Sequence, residues 1–91
     1  MPKVIITAQV NNGAQWEAGF ATHADLFRTY ELIGPVEYSV NGNAIAVCME
    51  TNDLAVFQAS INSPDTAAAM AADGVIRETV KFYFLDKTLE I

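Results

Sequence analysis

Hydrophobic and polar positions in this chain follow two periods, and the switches between them lay out an architecture. In residues 4–10, Val4, Ile6, Ala8 and Val10 alternate with Ile5, Thr7 and Gln9. A period of two predicts a strand with one wholly apolar face. Asn11-Asn12-Gly13 ends it, and Asn12 is a suitable helix N-cap with Gln15 placed for a reciprocal capping bond. The spacing then becomes helical. At about 3.6 residues per turn, Trp16, Phe20, His23, Phe27 and Tyr30 share one side, opposite Glu17, Asp25, Arg28 and Thr29. One continuous helix is expected as far as about residue 33, where Gly34 and Pro35 stop it.

Residues 36–40 and 43–50 flank Asn41-Gly42, the pair that best tolerates the two positive φ angles of a type I′ turn, so a hairpin is predicted. That turn sets residue 40 opposite 43, 38 opposite 45 and 36 opposite 47. Val36, Tyr38, Val40, Ile45 and Val47 then share a bulky face, and Glu37, Ser39, Ala44, Ala46 and Cys48 a small, semi-polar one. Thr51 or Asn52 is the expected cap of a second helix carrying Leu54, Phe57 and Ile61 on one stripe. Ser63 caps its restart, with Pro64 at the first helical position and Asp65 favourable to the dipole, and Gly74 closes it. Residues 78–85 alternate Val80, Phe82 and Phe84 with Thr79, Lys81, Tyr83 and Leu85, which predicts the last strand.

Strand, helix, strand, strand, helix, strand, with right-handed crossovers about a central hairpin, gives an α+β fold of the ferredoxin-like split βαβ kind. A four-stranded antiparallel sheet carries helices on one face, and residues 1–91 form one such domain. The bulky face is expected to meet the helices. The other face keeps Ile5, Ala44, Ala46, Cys48, Tyr83 and Leu85 beside Thr7, Gln9 and Glu37, too apolar to leave wholly in water. A second copy is the expected cover, two sheets meeting about a two-fold axis as a homodimeric barrel with its helices outside.

Composition narrows the classes. At 91 residues the chain has limited surface to bury, and it is 52 % hydrophobic against 18 % charged. Net charge is −6, and the cations Lys3, Arg28, Arg77, Lys81 and Lys87 are scattered, which argues against nucleic acid and anionic membrane as partners. Apolar runs are too short to span a bilayer and no leader pattern follows Lys3, so a cytoplasmic location is expected. Cys48 stands alone, which excludes an internal disulfide and a multi-cysteine zinc site.

The run Trp16-Glu17-Ala18-Gly19-Phe20-Ala21-Thr22-His23, then Asn52-Asp53-Leu54, and Ser63-Pro64-Asp65 through Ala71-Ala72-Asp73-Gly74-Val75, resembles the dimeric α+β barrel superfamily. That superfamily includes antibiotic-biosynthesis monooxygenase-like domains and stress-responsive barrel proteins. The resemblance covers most of the chain and implies the fold and dimerisation. Members include cofactor-free oxygenases, isomerases, haem-degrading enzymes and proteins with no known reaction, and no complete catalytic set of theirs is matched here.

His23 is the first chemical candidate, the one imidazole in the chain, set on an aromatic helix face beside Gly19, whose missing side chain leaves room for a ligand. Imidazole ordinarily titrates near neutrality, so a neutral His23 can take a proton from an acidic phenol or enol, with Tyr38 donating to the oxyanion formed. The competing reading is a core histidine satisfied by a backbone carbonyl or by Tyr38. Trp16, Phe20, Phe27, Tyr30 and Phe57 either wall a pocket for a flat ligand or are simply core.

Glu37 and Cys48 form a second candidate on the small face, read alternatively as an ion-pair residue, with Lys81 as a partner, and a small buried hydrophobe. Asp65 and Asp73, with Glu50 and Asp53, read as caps and solvated surface. No calcium-loop ligand spacing, phosphate-binding glycine loop or nucleophile elbow occurs, and a metal held by the single histidine with remote carboxylates is a weak alternative. The sequence thus leads to a homodimer that binds a small apolar or aromatic molecule between the first helix and the sheet, without cofactor. As an enzyme it would perform cofactor-free oxygenation or proton transfer on a phenolic or polyketide-like substrate. The alternative is a non-catalytic binding or assembly domain.

Overall fold

The computed structural model describes residues 2–91. The chain runs β1 (Lys3–Gln9), α1 (Gly13–Phe20), α2 (Ala24–Phe27) prolonged by a 3₁₀ turn at Arg28–Tyr30, β2 (Glu37–Asn41), β3 (Ala44–Glu50), α3 (Leu54–Ile61), α4 (Pro64–Ala72), a 3₁₀ turn at Arg77–Thr79, and β4 (Lys81–Leu85). The strands form one antiparallel sheet in the order β2-β3-β1-β4. This is the ferredoxin-like α+β arrangement. Alternation in β1 and β3 buries Val4, Ile6, Ala8, Ile45, Val47 and Met49 on one face, where Trp16, Tyr30, Phe57 and Ile61 complete the core. Among the described residues no helix is long and apolar enough to cross a membrane.

The hairpin keeps its predicted faces but not its predicted partners. Asn41 pairs with Ala44, Val40 with Ile45 and Tyr38 with Val47, so the two loop residues are Gly42 and Asn43. Gly42 takes φ 63° and Asn43 does not take positive φ, the pattern of a type II′ turn with glycine first. Each residue therefore meets a partner two positions from the expected one, and a slide of two leaves every side chain on its original face. Gly13 packs so closely on this turn that a side chain there would strike the Gly42 carbonyl, and its N–H donates to Asn43 Oδ1 at 3.2 Å.

The continuous first helix does not form. Asn12 caps α1 as expected, its side chain accepting from the Gln15 N–H at 2.9 Å. After Phe20 the chain tightens: the Thr22 N–H and hydroxyl both donate to the Gly19 carbonyl, at 3.0 and 2.6 Å, and the His23 N–H donates to the Phe20 carbonyl. A threonine hydroxyl competing for a helix carbonyl next to a glycine is a local reason for the break. His23 then occupies the cap position of α2, with φ −98° and ψ 24°. The second half ends at Tyr30, not near residue 33, because Glu31 turns left-handed at φ 56°. Buried Thr51 holds that turn, its hydroxyl within 3.0 Å of the Tyr30 and Glu31 carbonyls.

Asp53, not Thr51 or Asn52, caps α3 by accepting from the Val56 N–H. Ser63 and Pro64 open α4 as expected. The last strand is shorter than the sequence suggested, since the 3₁₀ turn at Arg77–Thr79 occupies its first residues and the Thr79 hydroxyl accepts from the Gln9 N–H. On the face away from the helices, Ile5, Ala44, Ala46 and Cys48 are half-buried, while Tyr83 and Leu85 are 49 and 54 % exposed. Glu37 and Lys81 lie on the two opposite edge strands, so they do not pair within one chain.

Candidate functional site

The site forms where the break after α1 meets the end of α4. Gly74, at φ 76°, closes α4 with the Val75 N–H on the Met70 carbonyl and the Gly74 N–H on the Ala71 carbonyl, a Schellman arrangement. Asp73 is the last residue before that reversal, and the turn aims its carboxylate at α1. There it lies flat against Gly19, where any side chain would overlap Oδ1. The room that Gly19 opens beside the imidazole is thus filled by Asp73. His23, released from helical geometry, brings Nε2 to 2.7 Å from Asp73 Oδ2. The two side chains are 21 and 10 % exposed.

This pairing overturns the reading of Asp73 as solvated surface and resolves how His23 is satisfied: by a carboxylate 50 positions away, not by Tyr38 or a carbonyl. A carboxylate only accepts, so Nε2 carries a proton, and in the neutral imidazole Nδ1 then keeps its lone pair. Among the described residues Nδ1 has no partner and is not buried. The arrangement fixes the orientation of the ring. One clue to Asp73 lay in the sequence, because a carboxylate at a helix C-terminus opposes the dipole and calls for a partner elsewhere.

His23 and Asp73 border an apolar cavity of about 60 Å³, whose walls include Trp16, Phe20, Phe27 and Tyr30 together with Met49, Met70, Thr66 and Val80. The rings run as a stack: Trp16 to Phe20 at 4.6 Å, Phe20 to Phe27 at 5.0 Å, Phe27 to Tyr30 at 5.8 Å. Four of the five aromatic residues expected at a pocket therefore wall this one. Phe57, the fifth, is wholly buried behind Tyr30 at 5.6 Å and does not line it. Met70 and Thr66, from α4, were not anticipated, since nothing local in the sequence shows which face of an alanine-rich helix meets the sheet.

Tyr38 stands at the outer edge of the stack, 5.8 Å from Trp16 and 5.3 Å from Phe20, and does not line the cavity. Its hydroxyl donates to Glu17 Oε2 at 2.6 Å. That bond, above all, raises its pKa, because the carboxylate favours the protonated phenol. Tyr30 also titrates above the ordinary value, through burial, partly offset by its bond to Thr66. Among the described residues no three His, Cys, Asp or Glu side chains converge as a metal site would require.

No protein-family model matches the chain, and no curated protein does. Solved structures do. A putative antibiotic biosynthesis monooxygenase from Bordetella bronchiseptica superposes with a TM-score of 0.75 at 18 % identity, covering 97 % of each chain. SnoaB, a cofactor-independent oxygenase from Streptomyces nogalater, gives 0.68 at 15 % identity, covering 99 % of this chain and 95 % of that one. The monooxygenase from the gene ActVA-Orf6 of Streptomyces coelicolor, in complex with Nanaomycin D, gives 0.64 at 14 % identity, with 99 and 89 % covered. The chain has the fold of the antibiotic-biosynthesis monooxygenase-like α+β barrel proteins.

Proposed function

We propose that this chain is a cofactor-independent monooxygenase acting on a small phenolic or polyketide-like aromatic, with His23 as general base and Asp73 as the residue that positions it. The observation that carries the reading is the 2.7 Å His23–Asp73 bond at the rim of an aromatic-walled cavity. Asp73 fixes the tautomer and stabilises the imidazolium that forms when Nδ1 takes a proton. Where the ring carries further electron-donating groups or fused rings, the phenolate so produced can reduce dioxygen itself. A ring C–H then becomes C=O: one oxygen atom enters the quinone and the other leaves as water, so phenol plus O₂ balances quinone plus H₂O. Similarity in fold to SnoaB, described as cofactor-independent, supports the oxygenase assignment over a purely binding role.

At about 60 Å³ the cavity is several-fold smaller than the roughly 300–1,000 Å³ of sites that enclose drug-sized ligands. Admission of a ring therefore requires Phe20, Phe27 or the methionines to yield, and thioether side chains at Met49 and Met70 adapt readily. An oxyanion role for Tyr38 in this scheme requires its hydroxyl to leave Glu17 and turn into the cavity, which it does not line. A second copy covers the open sheet face and completes the barrel, while the site lies on the helix-facing side of each sheet.

Oxygen uptake and quinone absorbance, followed over a panel of phenols and hydroxynaphthalenes, test the assignment. Turnover lost in a folded His23→Ala variant is the expected result. Turnover unchanged in that variant, or none in the wild type, would overturn it.

A further inference from the structure

The lining of the same cavity includes a second polar pair. Tyr30 Oη lies 2.6 Å from Thr66 Oγ1, both residues line the cavity, and both are almost wholly buried. Their hydrogen-bond direction follows from a count of protons. Thr66 has one hydroxyl proton and sits 2.8 Å from the Ser60 carbonyl, which can only accept. Tyr30 has one hydroxyl proton too, and Thr66 is its sole partner among the described residues. Reversing the bond would leave the buried phenolic proton with no acceptor, a costly arrangement. Tyr30 therefore donates to Thr66, and Thr66 donates to Ser60.

What Tyr30 has left is lone-pair density. We infer that Tyr30 is a specificity-determining residue of the cavity, presenting an acceptor that selects ligands carrying a hydroxyl or N–H donor. Phe27 neighbours both residues, 6.2 Å from the His23 ring and 5.8 Å from the Tyr30 ring, and most of the remaining lining is apolar. A suitable ligand thus carries two donors on an apolar ring, one given up to His23 and one held by Tyr30. Ethers, ketones and other acceptor-only groups meet lone pair against lone pair at the Tyr30 hydroxyl. The inference deepens the proposed reaction and rests on this cavity being its substrate site.

Phenol and toluene are near-isosteric probes that differ in the donor, methoxybenzene replaces the donor by an acceptor at one more heavy atom, and Trp16, the one tryptophan, reports their entry by fluorescence. Phenol is expected to bind the wild type more tightly than methoxybenzene. In Tyr30→Phe phenol should weaken roughly fivefold with toluene unchanged, the size of one net hydrogen bond. Thr66→Val frees the tyrosine proton to face the ligand, so there methoxybenzene should gain on phenol. Each variant's thermal unfolding establishes that it is folded.

Equal losses of phenol and toluene in Tyr30→Phe, a wild-type preference for methoxybenzene, or no phenol binding to the wild type would overturn the inference. The wild-type preference, lost in Tyr30→Phe, supports it even in a protein that oxidises nothing, an outcome that overturns only the reaction.

Discussion

Asp73 reaches His23 only because Gly19 has no side chain: the carboxylate rests on the glycine Cα, and a Cβ there would overlap Oδ1 and lie 2.8 Å from Cγ. Alanine in the last turn of a helix is ordinarily favoured over glycine by up to about 1 kcal/mol. The clashing atoms are the free end of a short side chain, which can swing away. Gly19→Ala should therefore unfold within about 1 kcal/mol of wild type yet lose the His23–Asp73 bond. Long-range proton–nitrogen correlation of the His23 ring measures this, through redistribution of its two neutral tautomers.

Glu31 holds φ 56° without being glycine, under the buried Thr51 hydroxyl. A left-handed non-glycine residue costs about 1–2 kcal/mol, part of which glycine returns as unfolded-state entropy. Glu31→Gly should stabilise by roughly 0.5–1 kcal/mol in urea titration. Thr51→Val, which strips the hydroxyl from beneath the Tyr30 and Glu31 carbonyls, should destabilise by about 1–3 kcal/mol.

Alkaline stability depends on Tyr30. Burial raises its pKa above the ordinary 10.0, so folding favours the neutral phenol. The corresponding stability is fully present below pH 10.0 and is lost as pH climbs through the higher folded-state value. Tyr30→Phe should flatten that alkaline decline while lowering stability at neutral pH through the lost Thr66 bond. Chemical denaturation between neutral and strongly alkaline pH checks both limbs.

The open sheet face carries half-buried Ala46 at its centre, paired with Thr7 and Ser39, with Tyr83 and Leu85 toward one edge. Sedimentation equilibrium should find a dimer at micromolar concentration, and Ala46→Arg should give a folded monomer by placing an unpaired charge where the two sheets meet. A monomeric wild type would contradict the barrel.

How far the sequence carried this account depended on the range of each signal. Period-two alternation in β1 and the Asn12 and Ser63 caps are local, and they gave the strand, the caps and the topology. The hairpin turn was ambiguous because Asn41-Gly42 and Gly42-Asn43 both suit tight turns, yet the faces survived since the slide was by two. The helix break at Thr22 depended on one hydroxyl choosing a carbonyl, and propensity alone does not register that. The His23–Asp73 pair spans 50 positions, beyond any local pattern, and only the adverse placement of Asp73 at a helix end hinted at it.

Whether His23 and Asp73 act as one unit is settled most directly by a double-mutant cycle on oxygen uptake with the best phenolic substrate. His23→Ala and Asp73→Asn should each lower kcat by about 10²–10⁴-fold, and the double variant should be no slower than His23→Ala alone. Losses that multiply in the double variant, or an Asp73→Asn protein with wild-type kcat, would contradict the pairing as the source of activity.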